Sequence, residues 1–133
     1  MPRISLFVFL AYLLFVPSAQ AQMQGIAVEI LQRTTVSDQP DKEAITIRAV
    51  FEPGGTTGWH THPGDEYALV LEGSLELRVL GDDPRHVAAD SAYHNMRGHV
   101  HETVNALDMP ATITATFIID KGQPISLPWD GKR

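Results

Sequence analysis

The chain has 133 residues, 10 basic and 16 acidic side chains, no cysteine, and a net charge of −6 with its 6 histidines neutral. The missing cysteine excludes a disulfide framework, a thiolate metal ligand and a thiol nucleophile. An acidic chain without a basic run makes a poor partner for nucleic acid and carries no polybasic patch for anionic membranes.

The first element is read as a secretory signal peptide over residues 1–21. Arg3 precedes an unbroken apolar run from Leu6 to Val16. Pro17 and Ser18 end the run, and Ala19-Gln20-Ala21 has the small-x-small form of a cleavage site. The run is shorter than the roughly 18 apolar residues of a membrane-spanning helix. Cleavage leaves residues 22–133 as a single domain free of the membrane, takes Arg3 with it, and directs the product to the periplasm or outside the cell.

The rest of the chain alternates with period two, the pattern of half-buried strands, since successive side chains leave opposite faces of a pleat. Ile26, Val28 and Ile30 open the series, followed by Ile45, Ile47, Ala49 and Phe51. Tyr67 to Leu71 is apolar at both parities and predicts a central strand covered on both sides. Glu66 shares the parity of Ala68 and Val70 and so enters their layer. Glu72-Gly73-Ser74 predicts a hairpin into the strand of Leu75, Leu77 and Val79. Ile113, Ala115, Phe117 and Ile119 form a last strong strand, and a Pro- and Gly-containing tail with Trp129 follows. Pro53-Gly54-Gly55, Pro63-Gly64, Gly81-Asp82-Asp83-Pro84 and Asp108-Met109-Pro110 supply turns, and no long helical period occurs. The strand-rich core spans about 43–119, and the class is all-β, a sandwich or barrel.

Chemistry concentrates between Gly58 and Gly73. His60 and His62 point the same way in an extended segment, and Pro63-Gly64 can turn Glu66 toward them. Neutral imidazoles with one carboxylate make a mixed N/O site for a divalent transition metal, which also resolves the cost of placing Glu66 beside an apolar strand.

The glycine spacing around these residues resembles the first motif of the cupin superfamily, G-x5-H-x-H-x3-4-E-x6-G, at Gly54, His60, His62, Glu66 and Gly73. Gly98, His101 and Asn105 are similar to the second half of its second motif, G-x5-P-x-G-x2-H-x3-N, whereas Asp90 and Met96 stand in place of the motif's first glycine and its proline. The resemblance implies a double-stranded β-helix, or jelly-roll barrel, holding one metal on His60, His62, Glu66 and His101. Four protein ligands leave positions open on an octahedral ion, which suits iron(II) or manganese; nickel, copper and zinc also accept such a set. It further implies an enzyme acting on a small organic molecule, with dioxygenase-like oxidation foremost and isomerase, lyase or decarboxylase chemistry beside it. A non-catalytic cupin holding a metal or small ligand is the alternative, and a homodimer is compatible with either.

His99 forms a second H-x-H with His101 and is the candidate acid or base at the pocket mouth. Tyr67 and Tyr93 are read as outer-layer residues, Asn105 as a structural hydrogen-bonding group, and His86 and His94 as solvent-facing. Trp59 is a pocket or packing residue. Arg48 and Arg78 are carboxylate clamps only if they point into the barrel.

Overall fold

In the computed structural model, which describes residues 23–132, each alternating apolar run is a β-strand, and no described residue is helical. The predicted signal segment lies outside the described residues. The strands are β1 (Gln24–Val36), β2 (Gln39–Thr56), β3 (His60–Thr61), β4 (Gly64–Glu72), β5 (Ser74–Val79), β6 (Arg85–Ala88), β7 (Ala92–Asn95), β8 (His101–Val104), β9 (Ala111–Asp120) and β10 (Leu127–Pro128). Every pairing is antiparallel. One layer runs β1-β2-β9-β4-β7 and the other β6-β5-β8-β3-β10, joined where Thr56 of β2 pairs with Val104 of β8. This is the expected all-β double-stranded β-helix.

The inner parity of each strand fills the space between the layers. Ile45, Ile47, Ala49 and Phe51 of β2 meet Ile113, Ala115, Phe117 and Ile119 of β9, with Ala68 and Val70 of β4 and Leu75 and Leu77 of β5 completing the core. A fully buried side chain of this kind stabilises the fold by about 1.5–3 kcal/mol. Glu66 lies on the inner face with Ala68 and Val70, as its parity predicts. Its depth is set by Gly64, where a Cβ would stand 1.9 Å from the Ile118 carbonyl oxygen, so only glycine lets β4 run this close to β9.

Three expectations are corrected. The outer face of β4 is not covered: Tyr67 is 51% exposed, and Leu69 and Leu71 are also open to solvent. Tyr93, expected in the outer layer, is buried on the inner face of β7 opposite Ala68. The reversal at Gly73 is not a hairpin, because β4 pairs with β7 and β9 while β5 pairs with β6 and β8. Gly73, at φ +76°, instead carries the chain from one layer to the other.

Candidate metal centre

Two layers supply the site. Glu66 enters from β4, and the imidazoles come from the opposite layer. The two-residue β3 is clamped between β8, through His60 opposite His101, and β10, through Thr61 opposite Leu127 and His60 opposite Pro128. His60, His62, Glu66 and His101 are all buried. The His60 ring packs edge-on against His62, centroids 4.7 Å apart, and tilted against His101, centroids 4.3 Å apart.

Each imidazole is oriented by a backbone carbonyl. His60 Nδ1 donates to Gly58 O at 2.8 Å, His62 Nδ1 to Ile125 O at 2.6 Å, and His101 Nδ1 to His99 O at 2.9 Å. A carbonyl only accepts, so Nδ1 carries the proton and each neutral ring turns an Nε2 lone pair inward. These lone pairs face one another: His60 Nε2 lies 3.2 Å from His62 Nε2, and Glu66 Oε2 lies 3.3 Å from His62 Nε2 and 3.4 Å from His101 Nε2. His101 Nε2 is buried with no hydrogen-bond partner.

Four convergent acceptors cannot satisfy one another; they require a positive charge between them. A proton on one Nε2 serves only part of the set. A metal ion serves all of it, since ligands about 2.0–2.2 Å from one ion stand roughly 3 Å apart. The three imidazole donor atoms lie within 4.8 Å of one another, and the residues fit a divalent transition metal.

The electrostatics agree. Burial and the two neighbouring imidazoles, His101 and His62, lower His60 from its ordinary 6.5 to about 4, so it stays neutral and able to ligate. In the metal-free site burial pushes the Glu66 carboxyl up, but a proton taken up on Nε2 of His101 or His62, together with the Asn95 amide, outweighs it and holds the group well below the ordinary carboxylate range; the carboxylate thus draws positive charge to the centre. Asn95 Nδ2 donates to Glu66 Oε2 at 2.7 Å across the Glu66–Asn95 pair of β4 and β7. Sequence reasoning did not single out Asn95, because its role depends on a strand register that a single sequence does not display.

The other candidates lie elsewhere. His99 is exposed, and only its carbonyl reaches the site, through His101. Arg48 is about half exposed beside Glu29, and Arg78 is held by Glu76 and Glu102. His86 and His94 face solvent. Trp59 packs edge-on against Trp129, centroids 6.3 Å apart, and so fastens the C-terminal segment. The departure at Asp90 leaves its turn intact: Asp90 adopts φ +64°, the left-handed conformation the motif's glycine would take, which aspartate tolerates better than most residues.

His60, His62 and Glu66 sit at the wall of a cavity of about 220 Å³. The remainder is mostly aliphatic and aromatic, from β1, β2 and β9, with Tyr93, Thr57, Thr103 and Ser126 as polar members. Burial raises the Tyr93 phenol far above its ordinary range. Its hydroxyl is buried without a hydrogen-bond partner; Thr103 stands nearby but outside bonding geometry.

Residues 47–119 match the family model described as Cupin domain. The chain belongs to the cupin family. Among curated relatives, this cupin is 30% identical over 83 residues to the HTH-type transcriptional regulator PuuR of Escherichia coli (strain K12), covering 62% of this chain and 42% of the regulator. It is 37% identical over 62 residues to the tetracenomycin polyketide synthase protein TcmJ of Streptomyces glaucescens, covering 46% of this chain and 41% of that protein. Among solved structures it is similar to an oxalate oxidase in complex with the substrate analogue glycolate: 26% identity, TM-score 0.57, 77% of this chain and 54% of that one. The cupin thus spans about half the length of these relatives or less. The helix-turn-helix in the regulator's name has no counterpart among the described residues, which contain no helix.

Proposed function

We propose that this cupin is a metal-dependent enzyme acting on a small organic molecule, with dioxygenase-like oxidation as its chemistry. The observation that supports it most directly is the set of three tautomer-fixed imidazoles and one carboxylate whose inward atoms are all acceptors, with His60, His62 and Glu66 at the wall of a mostly apolar cavity. His60, His62, His101 and Glu66 would hold the ion, with iron(II) or manganese preferred among those this donor set takes. When bound, the ion supplies a Lewis-acidic, redox-capable centre for substrate or dioxygen. The chain's own residues do the rest. The three carbonyls fix ring orientation, Asn95 fixes the carboxylate, Glu66 offsets one unit of the ion's charge, and the apolar wall excludes bulk water. Export, from the signal peptide read at residues 1–21, would place this activity in the periplasm or outside the cell.

The test is oxygen uptake by protein loaded anaerobically with iron(II), screened against enolisable, phenolic and keto-acid compounds. Substrate-dependent uptake that is lost in Glu66→Gln supports the reading; no uptake with any compound removes the dioxygenase assignment. One observation favours a second reading, a cupin that binds metal or small ligand without turnover. Beyond the candidate ligands, Tyr93 is the only titratable side chain among the described residues that line the cavity, so few groups are available to move a proton. Retained metal and ligand binding without turnover would select that reading.

A further inference from the structure

We propose that the cavity takes an uncharged, single-ring ligand carrying one oxygen group, such as a small alkylphenol or cyclic enol, rather than a small hydroxy acid or dicarboxylate. Among the described residues, the lining carries no lysine or arginine, and its one carboxylate is Glu66. The cations that a second carboxylate would need are held elsewhere, Arg78 by Glu76 and Glu102, Arg97 and Lys42 by Asp120, and Arg48 beside Glu29. With neutral imidazoles, Glu66 and a divalent ion together leave one positive charge. That balances one anionic oxygen and leaves the second charge of a dicarboxylate uncompensated in an apolar space, where burying it is costly. A small hydroxy acid also offers no surface for Ile47, Ala49, Phe51, Ile113 and Phe117 to cover.

Size narrows the class further. An apolar cavity of about 150 Å³ takes up benzene. At about 220 Å³ this one holds a single ring with a short substituent.

The proposal rests on the metal reading for the ligand's oxygen, but not for its ring. Calorimetry with 4-ethylphenol and with glycolate, on the cobalt(II)-loaded and the metal-free protein, separates the two. The cobalt protein should bind 4-ethylphenol about tenfold or more tighter than glycolate, and the metal-free protein should keep weaker binding of the phenol alone. Ala49→Phe, whose ring would fill the space, should abolish phenol binding while cobalt retention stays unchanged. If that variant does not fold, Ala49→Val should weaken phenol binding several-fold. Glycolate binding as tight as 4-ethylphenol, or phenol binding indifferent to Ala49→Phe and Ala49→Val, would overturn the proposal. If no cobalt is retained, the metal reading fails. The metal-free titration then decides the cavity by itself: Ala49-sensitive phenol binding supports the ring assignment and its absence overturns it.

Discussion

Two buried polar centres lie at either end of one short strand, and they are built on opposite principles. Asn105, 0% exposed, is satisfied entirely by the protein. Its amide nitrogen donates to Phe51 O, Glu52 O and Met109 O at 3.1, 3.3 and 2.7 Å, and its Oδ1 accepts from Leu107 N at 3.1 Å. His101, four residues earlier, belongs to a centre whose inward atoms are all acceptors. A primary amide carries donors and an acceptor, so backbone alone can complete it. An imidazole with its Nδ1–H already committed has only a lone pair left, and three of these converging on a carboxylate are completed by a shared positive charge. The first centre fastens the fold, and the second fits a cation.

The difference can be tested most strongly by removing the metal. A ligand that binds only the folded state stabilises it by about 4 kcal/mol at a thousand times its Kd. At pH 7.5, excess chelator should therefore lower the Tm of metal-loaded protein by several degrees; a Tm indifferent to chelator would erase the distinction between the centres. Acid adds a second handle on the metal-free chain. Burial lowers His60 from 6.5 to about 4, so between those values the unfolded chain binds a proton that the folded chain refuses. Stability should fall by about 3 kcal/mol as pH drops across that window, with no contribution from this group above it. Urea titrations of wild type and His60→Gln should differ by that slope.

Next in size is Asn105→Ala. It strands buried carbonyls and one amide, and should cost about 3 kcal/mol. The decisive feature is that the loss should be the same with chelator and with metal; a metal-dependent loss would mean the two centres are coupled. Asn95→Ala sharpens the comparison from the other side. It frees Glu66 Oε2 from its orienting donor and should weaken metal binding by about 10–100-fold while changing the metal-free Tm less. Competition against a chromogenic chelator measures this. The smallest effect is expected at Tyr93→Phe. Removing a buried hydroxyl without a partner should leave stability within about 1 kcal/mol and tend to raise it. A clear loss would show that Tyr93 has a hydrogen-bond partner after all.

Much of this was legible in the residues. Parity placed Ile45 to Phe51 and Ile113 to Ile119 on inner faces, because alternation reports which side of a pleat is dry. It also put Glu66 among them. The spacing of glycines around His60, His62 and Glu66 singled out residues that the fold gathers with His101. What stayed hidden depends on pairing between distant segments. The apolar outer parity of Tyr67, Leu69 and Leu71 has the pattern of a covered face, yet no described element packs there. Gly73 looked like a hairpin because local turn chemistry is the same whether the next strand joins the same layer or the opposite one. Asn95 and Tyr93 acquire their surroundings only from the register of β7 on β4, which no local pattern encodes.

The bond from His62 to the Ile125 carbonyl has a consequence for the order in which the molecule becomes competent. All four candidate ligands are made by residue 101, but the acceptor that turns His62 inward arrives 24 residues later, on a segment fastened by the Trp59–Trp129 contact and the pairing of β10 with β3. A growing chain therefore carries its complete ligand set before it can aim it. If the site holds the proposed ion, premature capture of whichever ion is abundant at the site of synthesis would be disfavoured until the final segment closes. Chains ending at successive positions beyond 119 should gain tight cobalt(II) uptake only once Ile125 and β10 are included; tight uptake by a chain ending at 120 would show that the timing is set elsewhere.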